Sequence, residues 1–260
     1  MGGTRGAAST EPERDPFPGA LAASYLVERD GRALWGRRPD APLPPASLTK
    51  IMTAFLLLEG GWDPGAWVKV GPAAARETGT RLGLRAGEEI RAGDALAATL
   101  VASANDACLA LAEQAAGSAE AFVGRMNRRA AELGLAATRF ANPCGHDAPG
   151  HVSSARDLAA LTRAALERPA FRWLVAVERA EIRTRGGRRL QAVTNNALLG
   201  RLDGARGVKS GFTPQAGKCV VALARRGDVE VLLVLLGAPD RWWTAAGIME
   251  KALAPEAGGG

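Results

Sequence analysis

Between the prolines at 44 and 45 and the glycines at 60 and 61 lies a stretch that is apolar on nearly every side of a helix. Leu48, Ile51, Met52, Phe55, Leu56, Leu57 and Leu58 leave almost no face for water, so a helix here is stable only when other elements surround it. Proline favours helix entry over helix interiors, which predicts a start at or near Ser47 and an end at Gly60-Gly61. Ser47 and Lys50 stand three residues apart at its mouth and therefore share a face, so the Lys50 amine can reach the Ser47 hydroxyl. An ordinary N-cap serine and a lysine that snorkels to solvent account for the pair equally well at this point, and other motifs must decide.

At 260 residues, 47% of them apolar and 23% charged, the chain can bury a sizeable core, as one large domain or two lobes. The net charge of +6 fits an anionic envelope polymer or an Arg-rich proteome. Scattered arginines, few aromatics and no recognition motif argue against a nucleic-acid partner. The cysteines, at 108, 144 and 219, are odd in number and unrelated in spacing. Most are read as small core residues, neither a disulfide framework nor zinc-ligand pairs, and His146 and His151 are too few to make a metal site. No run approaches the ~20 apolar residues of a membrane span. The first sixteen residues lack the basic-then-apolar pattern of a secretory signal, and a disordered tail is expected over 1–19 with a flexible end over 255–260.

Asp30-Gly31 between two apolar runs predicts an opening hairpin. Residues 71–93 read as an irregular surface excursion. The helical pattern from Asp94 to Ala116 breaks at Ser103-Ala104-Asn105-Asp106, where two helices should meet with Ser103 and Asn105 turned into a cleft. A helix over 119–133 follows, then a turn at Asn142-Pro143-Cys144-Gly145. The next helix has Ser154 as its cap and Asp157 in the capping-box position. A second hairpin turns at Gly186-Gly187. Gly207 to Thr213 leads into two β-rich runs, 219–224 and 229–236, and a helix over 241–253. Strands at both ends with helices between them predict an α/β (α+β) fold, its antiparallel sheet assembled from both ends of the chain, with a largely helical second lobe.

Ser47-x-x-Lys50, Ser103-x-Asn105 and Lys209-Ser210-Gly211 now stand in order. Together they resemble the signature of penicillin-binding enzymes and serine β-lactamases. The segments 45–54, 103–107, 151–159 and 208–219 are similar to those of the low-molecular-mass D-alanyl-D-alanine carboxypeptidases, and the likeness runs from about Tyr25 to Met249. It implies a β-lactamase/DD-peptidase-like fold: one catalytic domain over 20–254, a sheet lobe over 20–45 and 205–254, a helical lobe over 60–204, and the Ser47 helix between them.

The resemblance also implies roles. Ser47 is the nucleophile and Lys50 its base, neutral through burial and the nearby Lys209 cation. Ser103 relays a proton to the leaving amine, and Asn105 holds either the substrate amide or Lys50. Lys209, Ser210, Gly211, Phe212, Thr213 and Arg241 bind substrate, chiefly its carboxylate, while the N–H groups of Ser47 and Phe212 form an oxyanion hole. The implied partners are a peptidoglycan stem peptide ending in D-Ala-D-Ala and β-lactam antibiotics, outside the cytoplasm, with no cofactor or metal. His151 is expected to be structural and Cys219 to be packing. Phe212 stands where some relatives have His or Tyr, and Asn195 where some have Arg. The family's frequent C-terminal β-domain and membrane-binding helix are not seen, nor the Glu-x-x-Leu-Asn segment of class A β-lactamases. Alternatives are a D,D-endopeptidase, a β-lactamase and a non-catalytic peptidoglycan-binding module.

Overall fold

The computed structural model describes residues 16–17 and 21–255. Most of the expected tails therefore lies outside the described residues. Phe17 stands edge-on to Trp35 with ring centroids 5.5 Å apart.

The opening hairpin is present as β1 (Ser24–Arg29) and β2 (Arg32–Arg37), with Asp30 and Gly31 both at positive φ in the turn. A 3-10 turn (Ala46–Thr49) then runs into α1 (Lys50–Glu59), so the helical stretch begins one residue before Ser47 and in the tighter form. Residues 71–93 are more regular than expected. They contain the short helix α2 (Pro72–Ala75), and β3 (Trp67–Lys69) pairs antiparallel with β4 (Glu89–Arg91). The helical lobe follows with α3 (Ala92–Val101), α4 (Asn105–Ala116), α5 (Ala119–Glu132), α6 (Ala155–Leu166) and α7 (Pro169–Val175). Of these, α7 was not anticipated; it is two turns long and carries a Pro in its first turn. The second hairpin is β5 (Arg179–Arg183) with β6 (Arg189–Val193), and the chain closes through β7 (Ala205–Thr213), β8 (Gly217–Arg226), β9 (Val229–Ala238) and α8 (Arg241–Leu253).

The main sheet has the order β2-β1-β9-β8-β7, antiparallel throughout, so β1 from the start of the chain sits beside β9 from its end. Its central strands read as continuous apolar runs because both faces are covered. On β9, Val231, Leu233 and Leu235 pack with Ile248 and Met249 of α8. Leu232, Val234 and Leu236 instead join the core that holds Ile51, Met52 and Phe55 of α1 and Leu158 of α6. As the sequence requires, α1 is enclosed: Lys50 through Phe55 are all buried.

Two buried carboxylates tie segments of the helical lobe to one another. Asp106 is buried at the start of α4, and its carboxylate accepts from the backbone N–H groups of Leu82, Gly83, Leu84 and Ala107 at 2.8–3.0 Å. Asp106→Ala strands those donors, and a loss of about 2 kcal/mol in denaturant unfolding is expected. Ser154 caps α6 as predicted, accepting from Asp157 N–H. The Asp157 carboxylate does not return the bond; it is occupied by the Ala137 N–H and the Thr138 hydroxyl.

The reading of most of the cysteines as small core residues is corrected for two of them. Cys108 and Cys144 form a disulfide with Cα atoms 6.0 Å apart across a 36-residue separation. Pairing depends on proximity in space, so an odd count cannot exclude one bridge with one cysteine left over. Cys219 is the leftover, a buried thiol that burial pushes up to about 11.

Candidate active site

A cleft of about 520 Å³ between the sheet and the helical lobe gathers Ser47, Ser103, Asn105, Ser210, Gly211, Phe212, Thr213 and Arg241. Lys50 and Lys209 complete the ten residues singled out in the sequence, both buried. A second cavity, of about 460 Å³ at the far end of α1, is lined by Leu56, Leu57, Trp62 and Phe122 and contains none of them.

Ser47 sits in the 3-10 turn, where the backbone is held from two sides. Thr49 Oγ1 donates to the Ala46 carbonyl at 2.8 Å and lies 2.8 Å from His151 Nε2, while His151 Nδ1 accepts from Ala141 N–H. With Nδ1 an acceptor, Nε2 carries the proton and donates to Thr49. Burial lowers His151 to about 4, so it is neutral and structural at physiological pH, in line with its expected role.

Lys50 Nζ has three neighbours: Ser47 Oγ at 3.1 Å, Asn105 Oδ1 at 2.7 Å and the Cys144 carbonyl at 2.5 Å. Burial pulls the amine down to about 7, against a smaller upward pull from the Glu77 carboxylate. A neutral amine has two N–H bonds and one lone pair. The two carbonyl oxygens can only accept, so they take both N–H groups and the lone pair is left for the Ser47 hydroxyl. The burial that was expected to neutralise Lys50 is present, and the two amines repel one another. Lys209 is itself held well below the usual lysine range by burial, then by Lys50 and Arg241.

Asn105 is held by the 78–80 loop, with Nδ2 donating to the Thr78 carbonyl at 2.6 Å and its own N–H to Thr80 at 2.8 Å. Its Oδ1 accepts from Lys50, which is one of its two expected contacts. Ser103 is buried between α3 and α4 at φ 62, a left-handed conformation uncommon for serine. On the opposite wall, β7 is one of the two edge strands of the sheet among the described residues. Lys209 Nζ donates to the Ser210 carbonyl, and Ser210 Oγ donates to Asn195 Oδ1 at 2.7 Å. Arg241 Nη1 donates to the Gly211 carbonyl at 2.6 Å, and its buried Nε has no hydrogen-bond partner. Gly211 passes so near the Ser47 turn that a Cβ there would lie 2.8 Å from Ser47 N.

Several contributors were missed in the sequence. The Cys144 carbonyl is one, because main-chain groups carry no residue signature. Asp147 is another: its carboxylate accepts from the Thr213 hydroxyl at 2.5 Å and from Gln215 N–H, joining the two walls. His146 Nε2 stands 2.8 Å from Glu77 Oε2 at the cleft rim. Only the turn signal at Asn142-Pro143-Cys144-Gly145 marked this neighbourhood.

The family model of the D-alanyl-D-alanine carboxypeptidases matches residues 16–240. The chain belongs to that family. It is 35% identical over 221 residues to the D-alanyl-D-alanine carboxypeptidase DacF of Bacillus subtilis, covering 83% of this chain and 57% of that protein. To DacC of Escherichia coli it is 34% identical over 238 residues, covering 86% of this chain and 58% of that protein. The chain thus spans somewhat under two thirds of the length of these curated relatives. The crystal structure of the Streptomyces K15 DD-transpeptidase superposes with a TM-score of 0.85 at 27% identity, over 92% of this chain and 99% of that one. These matches carry the predicted α+β architecture, and all ten residues named from the carboxypeptidase motifs lie at one place in it.

Proposed function

We propose that this carboxypeptidase-family chain is a serine D-Ala-D-Ala carboxypeptidase that trims peptidoglycan stem peptides outside the cytoplasm and is acylated by β-lactams. The observation that carries the reading is the lone-pair geometry of Lys50 on the Ser47 hydroxyl, beneath an open cleft. Ser47 Oγ bonds to the carbonyl carbon of the penultimate D-alanine as its proton passes to Lys50. The C–N bond then breaks, the amine takes a proton by way of Ser103, and D-alanine leaves. Water hydrolyses the ester and restores Ser47. The free edge of β7 suits an extended peptide laid alongside it. Arg241, Thr213, Ser210 and Lys209 supply donors for the terminal carboxylate, Thr213 by releasing Asp147.

Incubation with a diacyl-D-Ala-D-Ala peptide is expected to release D-alanine, and labelled penicillin to add its mass at Ser47. An adduct that persists in Ser47→Ala sinks the assignment. Loss of crosslinked dimers from muropeptides without release of D-alanine marks an endopeptidase instead, and binding without turnover marks a non-catalytic module. The acylation rate should be flat above pH 8 and fall about tenfold per unit well below pH 7, because protonating Lys50 removes the lone pair. A pH-independent rate from 5 to 8 excludes Lys50 as the base.

A further inference from the structure

We propose that Cys144 is a positioning residue for acylation, its disulfide to Cys108 holding the Cys144 carbonyl on the amine of Lys50. The inference rests on Lys50 being the base of Ser47, as set out above. Two acceptors orient that amine, and they come from separate parts of the chain: Asn105 from the first turn of α4, and Cys144 from the turn after α5. Cys108 follows Asn105 by three residues on α4 and therefore shares its face. The bridge to Cys144 closes a ring running from Lys50 through the Cys144 carbonyl, the disulfide and one turn of α4 to Asn105, and back to Lys50. Cys144 Sγ also lies 3.7 Å from the Asn105 carbonyl oxygen, so the covalent link runs directly behind the pair of acceptors.

The turn has other supports, and none does this. Asn142 Oδ1 accepts from the N–H groups of Cys144, Gly145 and His146, which fixes the turn's own shape. Thr53 Oγ1 donates to the Pro143 carbonyl at 2.6 Å, which ties it to α1. Among the described residues the disulfide is the covalent tie between the turn and α4. Without it the carbonyl can drift, the amine rotates, and its lone pair leaves the Ser47 hydroxyl. A displacement of about 1 Å in such a pair is enough to slow a reaction by up to ~100-fold.

The test measures the rate of Ser47 acylation by a fluorescent penicillin on the whole chain, before and after treatment with dithiothreitol under native conditions. One dithiothreitol supplies two protons and two electrons and cyclises; the S–S bond breaks to two thiols. Alkylation after denaturation, read by mass, should rise from one thiol to three. The expected result is an acylation rate about tenfold lower after reduction. The acid limb of its pH profile should also move to lower pH, because an ammonium that has lost a carbonyl acceptor gives up its proton more readily. Cys108→Ser should show both effects without reductant, and Cys219→Ser neither. An unchanged rate with three thiols present overturns the proposal. So does a loss that matches the unfolded fraction and leaves the acid limb in place, or three thiols in the untreated oxidised protein. Failure of the Lys50–Ser47 reading is distinct: oxidised wild type would then acquire no adduct at Ser47.

Discussion

Lys50→Met is expected to lower Ser47 acylation by about 10²–10⁴-fold at pH 7.5, the usual worth of a general base, while the melting temperature stays level or rises. The second half of this expectation follows from burial. Lys50 is fully buried, and at pH values below about 7 its charge is kept out of water with only neutral oxygens and a distant carboxylate for company. Because the folded-state value lies below the lysine reference of 10.5, the unfolded chain binds more protons between about 7 and 10.5. Stability therefore increases with pH across that window, and the full penalty applies below it. Methionine fills nearly the same volume without the penalty. Unfolding curves at pH 7 and 10 check this: the variant should lose part of the wild-type rise. A variant that unfolds more easily at pH 7, or one acylated at the wild-type rate, contradicts the assignment of Lys50 as a buried base.

Gly145→Ala should lower acylation by about 100-fold and should also destabilise the fold, by about 3 kcal/mol or more. Gly145 has φ 91, and a Cβ there would lie 2.0 Å from the Ala46 carbonyl oxygen and 2.9 Å from Ser47 Cα. Those are backbone atoms of the turn that carries the nucleophile, so no side-chain rotation relieves the clash. Either the 142–146 turn retreats, taking the Cys144 carbonyl from Lys50, or the Ser47 turn does. Both separate the nucleophile from its base, and ~1 Å is enough for a ~100-fold loss. Denaturant unfolding and penicillin acylation read the two effects separately, and near-wild-type behaviour in both would show that the turn can yield without cost.

Much of this was legible in the sequence, for local reasons. The all-round apolar character of residues 48–58 demanded an enclosed helix, and α1 is enclosed. The polar interruption at 103–106 marked the junction of α3 and α4, because Ser, Asn and Asp compete for backbone groups that a helix interior would use. The helix expected over about 241–253 is present, and in the structure Asp240 caps it by accepting from the N–H groups of Trp242 and Trp243. Where the sequence reading fell short, the cause was contact between distant segments. The short strands β3 and β4 carry too few residues to show a period, and they are held by each other. The disulfide joins residues 36 apart whose spacing has no meaning until α4 and the 142–146 turn are adjacent.

The side chains of the site were nameable from sequence because their chemistry is written in residue type: a hydroxyl, amines, an amide and a guanidinium in recurring local patterns. The state of those groups was not. Whether Lys50 carries a proton depends on burial, and burial is a property of everything packed around α1. Which way its lone pair points depends on two acceptors brought from α4 and from a turn nearly a hundred residues away. One of those acceptors is a main-chain carbonyl, a group every residue has. Sequence determined the helix, the sheet and the reacting groups through local preference and hydrophobic pattern. Tertiary structure alone decided the direction of the amine, because orientation is set by partners that only folding brings within 3 Å.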